Sequence, residues 1–499
     1  MPNDKRPAIQ DKFEPNKRFP NFGNALIRLH ARGFRSHIDT LVEFKSPITA
    51  FCGLNGSGKS TLLQLVAAAY RSPANSGYPQ FSISDFMMIS KLDPQPFAAD
   101  ATVEYQYWNQ ERKSNQTTVG YAMGKGWSNY DNRRERVLFF AGVGHYLPKI
   151  EQRDFMIQSS NQLSIDASAP VSSTVREWTS TILACSYEEI LTHTVRYRSE
   201  ASEYTGVLVS ASQHGFTYSE AHMGYGEGRT LFLVNALESL PPKSLVLIEE
   251  PETSLHAAAQ VQFGRYLVDV VDRKGHQVLL TTHSMFLLTS LPLSSIVLLR
   301  KQSGSTVVHR DLTPLEVRGH LTGGQAKALY VFVEDEVALE ILRAIICRRH
   351  AGYLQVIETH VGGGVDTLKG VLKVLSDTSL PVACVMDADQ SIPDEKEKEN
   401  DKERWRRNIF KLPGTLPPEK ELFSAESVKR YMMDKHLLDL DDYSTCLIGV
   451  NHHDWFKYLA RHLNQNPAVL IAESVQAYVN ALPENETDAL VKQLREASL

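Results

Sequence analysis

The chain is poor in cysteine: five in 499 residues, Cys52, Cys185, Cys347, Cys384 and Cys446, with no CxxC spacing among them. That excludes a cysteine-rich zinc framework and a disulfide-stapled fold, and fits a reducing, cytoplasmic setting. Runs of about 18 apolar residues are absent, so no membrane-spanning helix and no membrane partner are expected. The opening MPNDKRPAIQDKFEPNKRFP lacks the apolar centre of a secretory signal. Its prolines and polarity predict a flexible extension over residues 1–23. There is no surplus of one charge either: 53 basic against 58 acidic residues give a net −5. Attraction to nucleic acid must then come from a local patch rather than the global field. No internal repeat is visible. With 42% hydrophobic and 22% charged residues the composition is that of a globular protein, and the length exceeds one core, which predicts two or three domains.

What the chain does have begins at Ala25. ALIRLHARGF and TLVEFKS alternate apolar and polar residues, as half-buried antiparallel strands do. PITAFCG is a continuous apolar run ending in glycine, the pattern of a buried central strand. It leads into GLNGSGKST, which fills GxxxxGK[ST] with Gly53, Gly58, Lys59 and Ser60, and a helix follows. Glycines let backbone N–H groups turn inward around phosphate oxygens, and the helix N-terminus adds partial positive charge. Asn55, Gly56, Gly58, Lys59, Ser60 and Thr61 are the candidate ATP-binding set, with Lys59 placed for the β- and γ-phosphates and Ser60 for Mg2+.

A second apolar run, LVLIEEPETSLH, delivers Glu249 and Glu250 at a strand end. Such a site needs one carboxylate near Mg2+, the role of Glu249, and one to orient the attacking water, the role of Glu250. VLLTTHS brings His283 to the end of another strand, where it is a candidate to touch the γ-phosphate or the water. Between these motifs the stretch of about 165–240, containing STVREWTSTILACSYEEILTHTV, reads as a helical lobe.

These pieces, in this order, resemble the ABC-type ATPases, and within them the SMC-like branch that includes the OLD family of defence nucleases. The resemblance covers about residues 25–315. It implies that Arg35, in the GFRSHIDTLVEF hairpin, approaches the phosphates. MGYGEGR stands where the family's signature lies, so Met223, Gly224, Tyr225, Gly226 and Glu227 would face the nucleotide of a second copy of the chain. The usual serine and terminal glutamine of the signature are not matched. A Q-loop glutamine is also implied, with Gln80 and Gln95 both candidates. One P-loop and one signature per chain imply an ATP-sandwich dimer or higher oligomer. The stretch between Thr61 and Met223 is too short for a long coiled coil.

Past LTGGQAKA, the linker candidate, strand and helix alternation restarts at Tyr330. YVFVEDEVALEIL places Glu334 at a strand end, and PVACVMDADQS ends in Asp387 and Asp389, two apart and therefore on one side of an extended strand. Together Glu334, Asp387 and Asp389 resemble the acidic set of TOPRIM domains, which implies bound Mg2+ or Mn2+, DNA as partner and phosphodiester cleavage. Hard cations prefer oxygen ligands, and such ions stabilise attacking and leaving oxygens. The first motif departs from the family's EGxxD: Asp335 replaces the glycine and Ala338 the aspartate. The competing reading of Glu334, Asp335 and Glu336 is a helix N-terminal acid cluster.

Weaker candidates are Glu421 as an assisting acid, Lys327, Lys369 or Lys411 as assisting cations, and the base-and-aromatic strips Gly124–Arg136 and Lys402–Lys411 as DNA-facing surfaces. The His452–His453 pair reads as surface histidine or as a metal ligand. The expected fold is an α/β ABC-type ATPase domain at 24–318, then a TOPRIM-like domain with a helical tail at 325–499. The expected function is ATP-controlled, metal-dependent DNA cleavage in antiphage defence. The alternative is an ATPase sensor or scaffold with a degenerate TOPRIM-like domain that holds a separate effector nuclease or toxin, as in Septu-, retron- or PARIS-type systems.

Overall fold

The computed structural model of the chain describes residues 4–109, 114–122, 125–146, 163–198, 203–375, 378, 380–392 and 401–497. Gly124, at the edge of one base-and-aromatic strip, and 394–400 of the DEKEKENDKERWRR run lie outside the described residues. The chain divides into two compact units, Met1–Pro314 and Leu315–Leu499.

In the first unit the apolar runs become a six-stranded sheet. Its order is Ser305–His309, Ile296–Gln302, Ile48–Cys52, Gln277–Thr281, Leu245–Glu249, Leu138–Ala141. All pairs are parallel except the edge hairpin of the first two. Ile48–Cys52 is buried along its whole length, which is why its sequence shows no alternation. Parallel strands end together, so the P-loop, the Glu249–Glu250 turn and the segment after Thr281 emerge at one edge of the sheet.

A five-stranded antiparallel sheet packs over the P-loop helix Lys59–Ala67. Thr102–Trp108 buries every second residue, and Tyr105 in that row donates to the Leu65 carbonyl oxygen at 2.7 Å.

The expected helical lobe is instead mainly sheet. Leu163–Pro170, Glu189–Arg198, Glu203–Gln213 and Phe216–Ser219 form an antiparallel four-stranded meander, with one helix, Ser173–Leu183, between the first two. That helix stops at Ala184, which sits in the left-handed region at φ 53°. The β-branched run beyond it, Ile190 to Val195, then pairs as strand.

The N-terminal extension is also corrected. Arg6–Lys12 and Pro15–Phe22 are helices, each with proline in its first turn, where the missing N–H is harmless. Ile9, Phe13 and Phe22 are buried, the two phenylalanines meet edge-to-face at 5.3 Å, and Lys5 pairs with Asp269 at 2.7 Å.

The second unit holds a four-stranded parallel sheet in the order Ile357–Val361, Leu329–Val333, Val382–Met386, Ile409–Lys411. Helix Glu336–His350 buries Val337, Ala338, Ile341, Leu342, Ile345 and Ile346, one apolar stripe at helical spacing, in a core shared with the C-terminal helices. The division between units falls before the expected linker. From Leu315 on, helix Pro314–Leu321 belongs to the second unit, where its Glu316, fully buried, accepts from Nε and Nη2 of Arg495 at 3.0–3.1 Å.

Candidate functional site

Three glycines shape the P-loop. Gly53, Gly56 and Gly58 have φ of 149°, 76° and 94°. A Cβ on Gly58 would stand 2.2 Å from His37 Nε2, so this position admits no side chain. The Lys59 ammonium folds back on the loop, donating to the carbonyl oxygens of Gly53 at 2.9 Å and Leu54 at 3.1 Å. Burial pulls its pKa down, against the opposing charge of Glu250. Asn55, Gly56 and Ser60 are exposed and Thr61 is buried.

His37 was not singled out by the sequence. It sits fully buried on the first hairpin and donates from Nε2 to the Gly58 carbonyl oxygen at 3.0 Å. Thr306 joins it, donating from its hydroxyl to the Ser57 carbonyl oxygen and from its backbone N–H to that of Ser36. This clamp sets the hairpin turn, where Arg35 is exposed at φ 51°, beside the P-loop.

Glu249 closes its strand, and Glu250 turns away at φ 45°, held by its N–H to Thr281. Burial, and then the charge of Glu252, push the Glu250 carboxyl up to about 8. His283 Nε2 lies 3.3 Å from Glu250 Oε1, so the two candidate catalytic groups are brought together. Burial and then Lys59 lower the His283 pKa, which keeps it a neutral partner. Glu252 is the acid the sequence reading missed. One oxygen accepts the Thr282 hydroxyl at 2.6 Å and the N–H groups of His283 and Ser284, which fixes the His283 segment. Ser57 Oγ, Glu249 Oε1 and Glu252 Oε2 are buried without a hydrogen-bond partner among the described residues. Orphaned buried oxygens at the mouth of a P-loop fit a bound Mg2+ and its waters.

The signature candidates split in role. Gly224 is the N-cap of helix Tyr225–Ser239. A Cβ on Gly226 would strike the Ser254 carbonyl oxygen at 2.5 Å, so this glycine serves close packing on the loop after Glu250. Glu227 accepts the hydroxyls of Tyr187 and Tyr218 at 2.7–2.8 Å, tying the helix to the meander. Arg229 donates to the Glu249 carbonyl oxygen. Gln80 is occupied in its own loop, accepting from Ser72 N–H at 2.7 Å, while Gln95 is exposed. In the strip ending at Arg136, two of the three arginines are structural, and Arg134 is exposed. Buried Arg133 donates to the Ala68 and Phe81 carbonyl oxygens, and buried Arg136 to Lys243 and Gln277.

In the second unit, adjacent parallel strands bring Glu334 and Asp387 together: Glu334 Oε1 accepts the Asp387 N–H at 3.0 Å. Asp387 is buried, its Oδ1 unpartnered among the described residues, and its carboxyl is pushed up to about 8 by burial, then by Glu334 and Asp335. Glu334 is raised for the same first reason. Asp389 does not share the strand. The strand ends at Met386, and Asp389 lies exposed in the turn beyond. Asp335 is a helix N-cap, its Oδ1 accepting the Ala338 N–H at 2.8 Å, and Ala338 is fully buried. Glu421, the expected assisting acid, does not face this pair. Glu421 is taken up by the N–H groups of Thr415 and Leu416, whereas Glu419 reaches His452 and His453.

The chain matches two protein-family profiles: "AAA domain" over residues 28–163 and "AAA domain, putative AbiEii toxin, Type IV TA system" over 130–289. It is similar to Protein ea59 of Escherichia phage lambda, 24% identical over 280 residues, which cover 53% of this chain and 51% of that protein. The chain thus spans about half the length of this curated relative. Among solved structures, an SMC head domain from Thermotoga maritima aligns at 14% identity and TM-score 0.34, over 57% of this chain and 98% of that one. An SmcHead bound to the C-winged helix domain of ScpA aligns at 16% and 0.38, over 57% and 96%. Scores this low decide nothing about assembly. No described helix is long and apolar enough to cross a membrane. Residues 28–163 and 130–289 thus each resemble AAA-type P-loop ATPase domains.

Proposed function

We propose that this chain is an ABC-type, OLD-like ATPase whose C-terminal, TOPRIM-like unit cleaves DNA with a divalent metal under control of ATP, in defence against phage. The observation that carries the reading is Asp387. A buried aspartate with an unpartnered oxygen, next to Glu334 at the ends of two parallel strands, is costly unless a cation meets it. Glu334 and Asp387 would hold Mg2+ or Mn2+ there, with Asp389 at the rim. The ion would supply charge stabilisation for phosphoryl oxygens. The protein's own contribution is to fix the two carboxylates on rigid strand ends and to line the adjacent cleft with Arg343 and Lys457, cations suited to a phosphate chain.

ATP control follows from the family resemblance. Gly224 and Gly226 of one copy would face the P-loop of a second, so that ATP joins two ATPase units and hydrolysis through Glu250 and His283 parts them. The phage relative and the toxin-related family profile support the biological setting.

The test is plasmid nicking by the purified chain with Mg2+ or Mn2+, with and without ATP. Nicking that vanishes in Asp387→Ala sustains the proposal. Absence of nicking with ATP hydrolysis intact, and lost in Glu250→Gln, selects a second reading, favoured by buried Ala338 standing where the motif's aspartate would be. In that reading the TOPRIM-like unit is degenerate and the ATPase holds or releases a separate effector nuclease or toxin.

A further inference from the structure

The adjacent histidines of NHHDWF serve neither site described above. They lie in a short 3-10 turn, His452–Asp454, ahead of helix Trp455–Leu463. The turn points both rings at one carboxylate. Glu419, 1% exposed, has Oε2 at 3.2 Å from His452 Nδ1 and Oε1 at 3.0 Å from His453 Nδ1. His453 Nδ1 is also 3.4 Å from Asp335 Oδ2, a buried oxygen with no hydrogen-bond partner among the described residues.

We propose that Glu419, His452 and His453, beside the Asp335 carboxylate, bind one divalent first-row transition ion of the zinc class.

Three observations carry this. First, the ion pairs of buried Glu419 among the described residues are with these two imidazoles, not with a permanently charged lysine or arginine. A carboxylate so deeply desolvated calls for a fixed cation. Second, a tetrahedral ion with donors at about 2.0–2.1 Å holds them about 3.3 Å apart. One ligand atom each of Glu419, His452 and His453 lies within 4.8 Å of the others, and each histidine Nδ1 is 3.0–3.2 Å from a Glu419 oxygen, so small side-chain rotations reach that span. Third, two imidazole nitrogens and one carboxylate form a borderline donor set, which suits Zn2+ or Co2+ and not Mg2+, whose preference is for oxygen alone. Asp335 already spends its other oxygen on the helix cap, so its free oxygen is fixed in direction. Asp335, Glu419 and His453 line a cleft of about 950 Å³, which gives an ion a route from solvent.

The site lies beside the Glu334–Asp387 pair, since Asp335 follows Glu334 and its charge acts on Asp387. It therefore offers a second metal position beside that pair. Binding at this position does not require that the chain cleave DNA, so failure of one proposal leaves the other standing.

The test uses the full chain, stripped with a chelator and titrated with Co2+ without nucleotide at neutral pH. The expected result is one Co2+ per chain, besides any held at the Glu334–Asp387 pair, with the visible absorption of a low-coordinate nitrogen–oxygen site, displaced by Zn2+. His453→Ala and Glu419→Gln each weaken it by at least about tenfold, while Asp387→Asn retains it. His453 is half-exposed, so that variant is expected to fold, and unchanged ATP hydrolysis and circular dichroism check this. No Co2+ uptake by the wild type, uptake unchanged in folded His453→Ala, or loss in Asp387→Asn would overturn the proposal.

Discussion

The imidazole N–H of His37 donates to the carbonyl oxygen of Gly58 across 3.0 Å, joining the first hairpin to the phosphate loop. The His37 ring is buried, and burial holds it below its ordinary pKa, in the neutral form that leaves Nδ1 to meet the Thr40 hydroxyl at 3.1 Å. His37→Ala removes one side of this clamp and leaves the Gly58 carbonyl without its side-chain partner. The expected outcome is a loss of about 1–3 kcal/mol in stability and a raised KM for ATP with a smaller change in kcat. Denaturant unfolding and steady-state ATPase kinetics check both. Gly58→Ala is expected to be worse, since its Cβ meets His37 at 2.2 Å in a left-handed backbone.

Glu250 and His283 lie 3.3 Å apart. Glu250→Gln is expected to lower kcat for ATP by about 10²-fold or more while ATP binding persists. The double variant with His283→Ala falls short of the product of the single effects, because contacting residues are coupled. Burial and Glu252 hold the Glu250 carboxyl at about 8, so the group is protonated at lower pH and becomes free to act as a base only as pH rises toward that value. In the wild type kcat/KM therefore climbs through this range, and a flat profile would remove Glu250 from the base role.

Asp387 ties stability to pH. Its carboxyl is raised from 3.8 to about 8, so the folded state holds this proton more tightly than the unfolded chain does. The stabilising contribution is complete below 3.8, shrinks as pH rises, and is gone above about 8. Without divalent cations the melting temperature is expected to fall between about pH 5 and about pH 8 by on the order of a few degrees. Mn2+ restores it at the upper pH and does little at the lower. Asp387→Asn flattens both responses.

Ala338 faces the core of the second unit, fully buried, with its N–H capped by Asp335. Restoring the aspartate of the motif as Ala338→Asp puts a charge into that core. It is expected to destabilise the unit by about 3–5 kcal/mol without conferring new metal binding. Thermal unfolding and metal titration decide it; a stable variant with an added bound ion would contradict this account.

Removal of residues 1–23 is expected to destabilise the ATPase unit rather than leave it unchanged. Ile9, Phe13 and Phe22 would take their buried surface with them, and each large apolar side chain contributes about 2–5 kcal/mol. Comparison of unfolding midpoints for the full and shortened chains tests this.

Local pattern and spacing determined much of the ATPase. An apolar strand, GxxxxGKS and a helix specify their own geometry, because left-handed glycines and a helix N-terminus need only neighbours in the chain. The strand-end positions of Glu249, Glu334 and Asp387 were legible for the same reason: apolar runs end where the sheet does. Only the tertiary structure decided which distant groups meet. Nothing near His37 in sequence announces Gly58, nothing near Glu419 announces His452, and nothing near Glu316 announces Arg495. It also decided the meander read as helix and the N-terminal helices read as flexible. In both places weak local preference yielded to burial and strand pairing, forces set by residues far away along the chain.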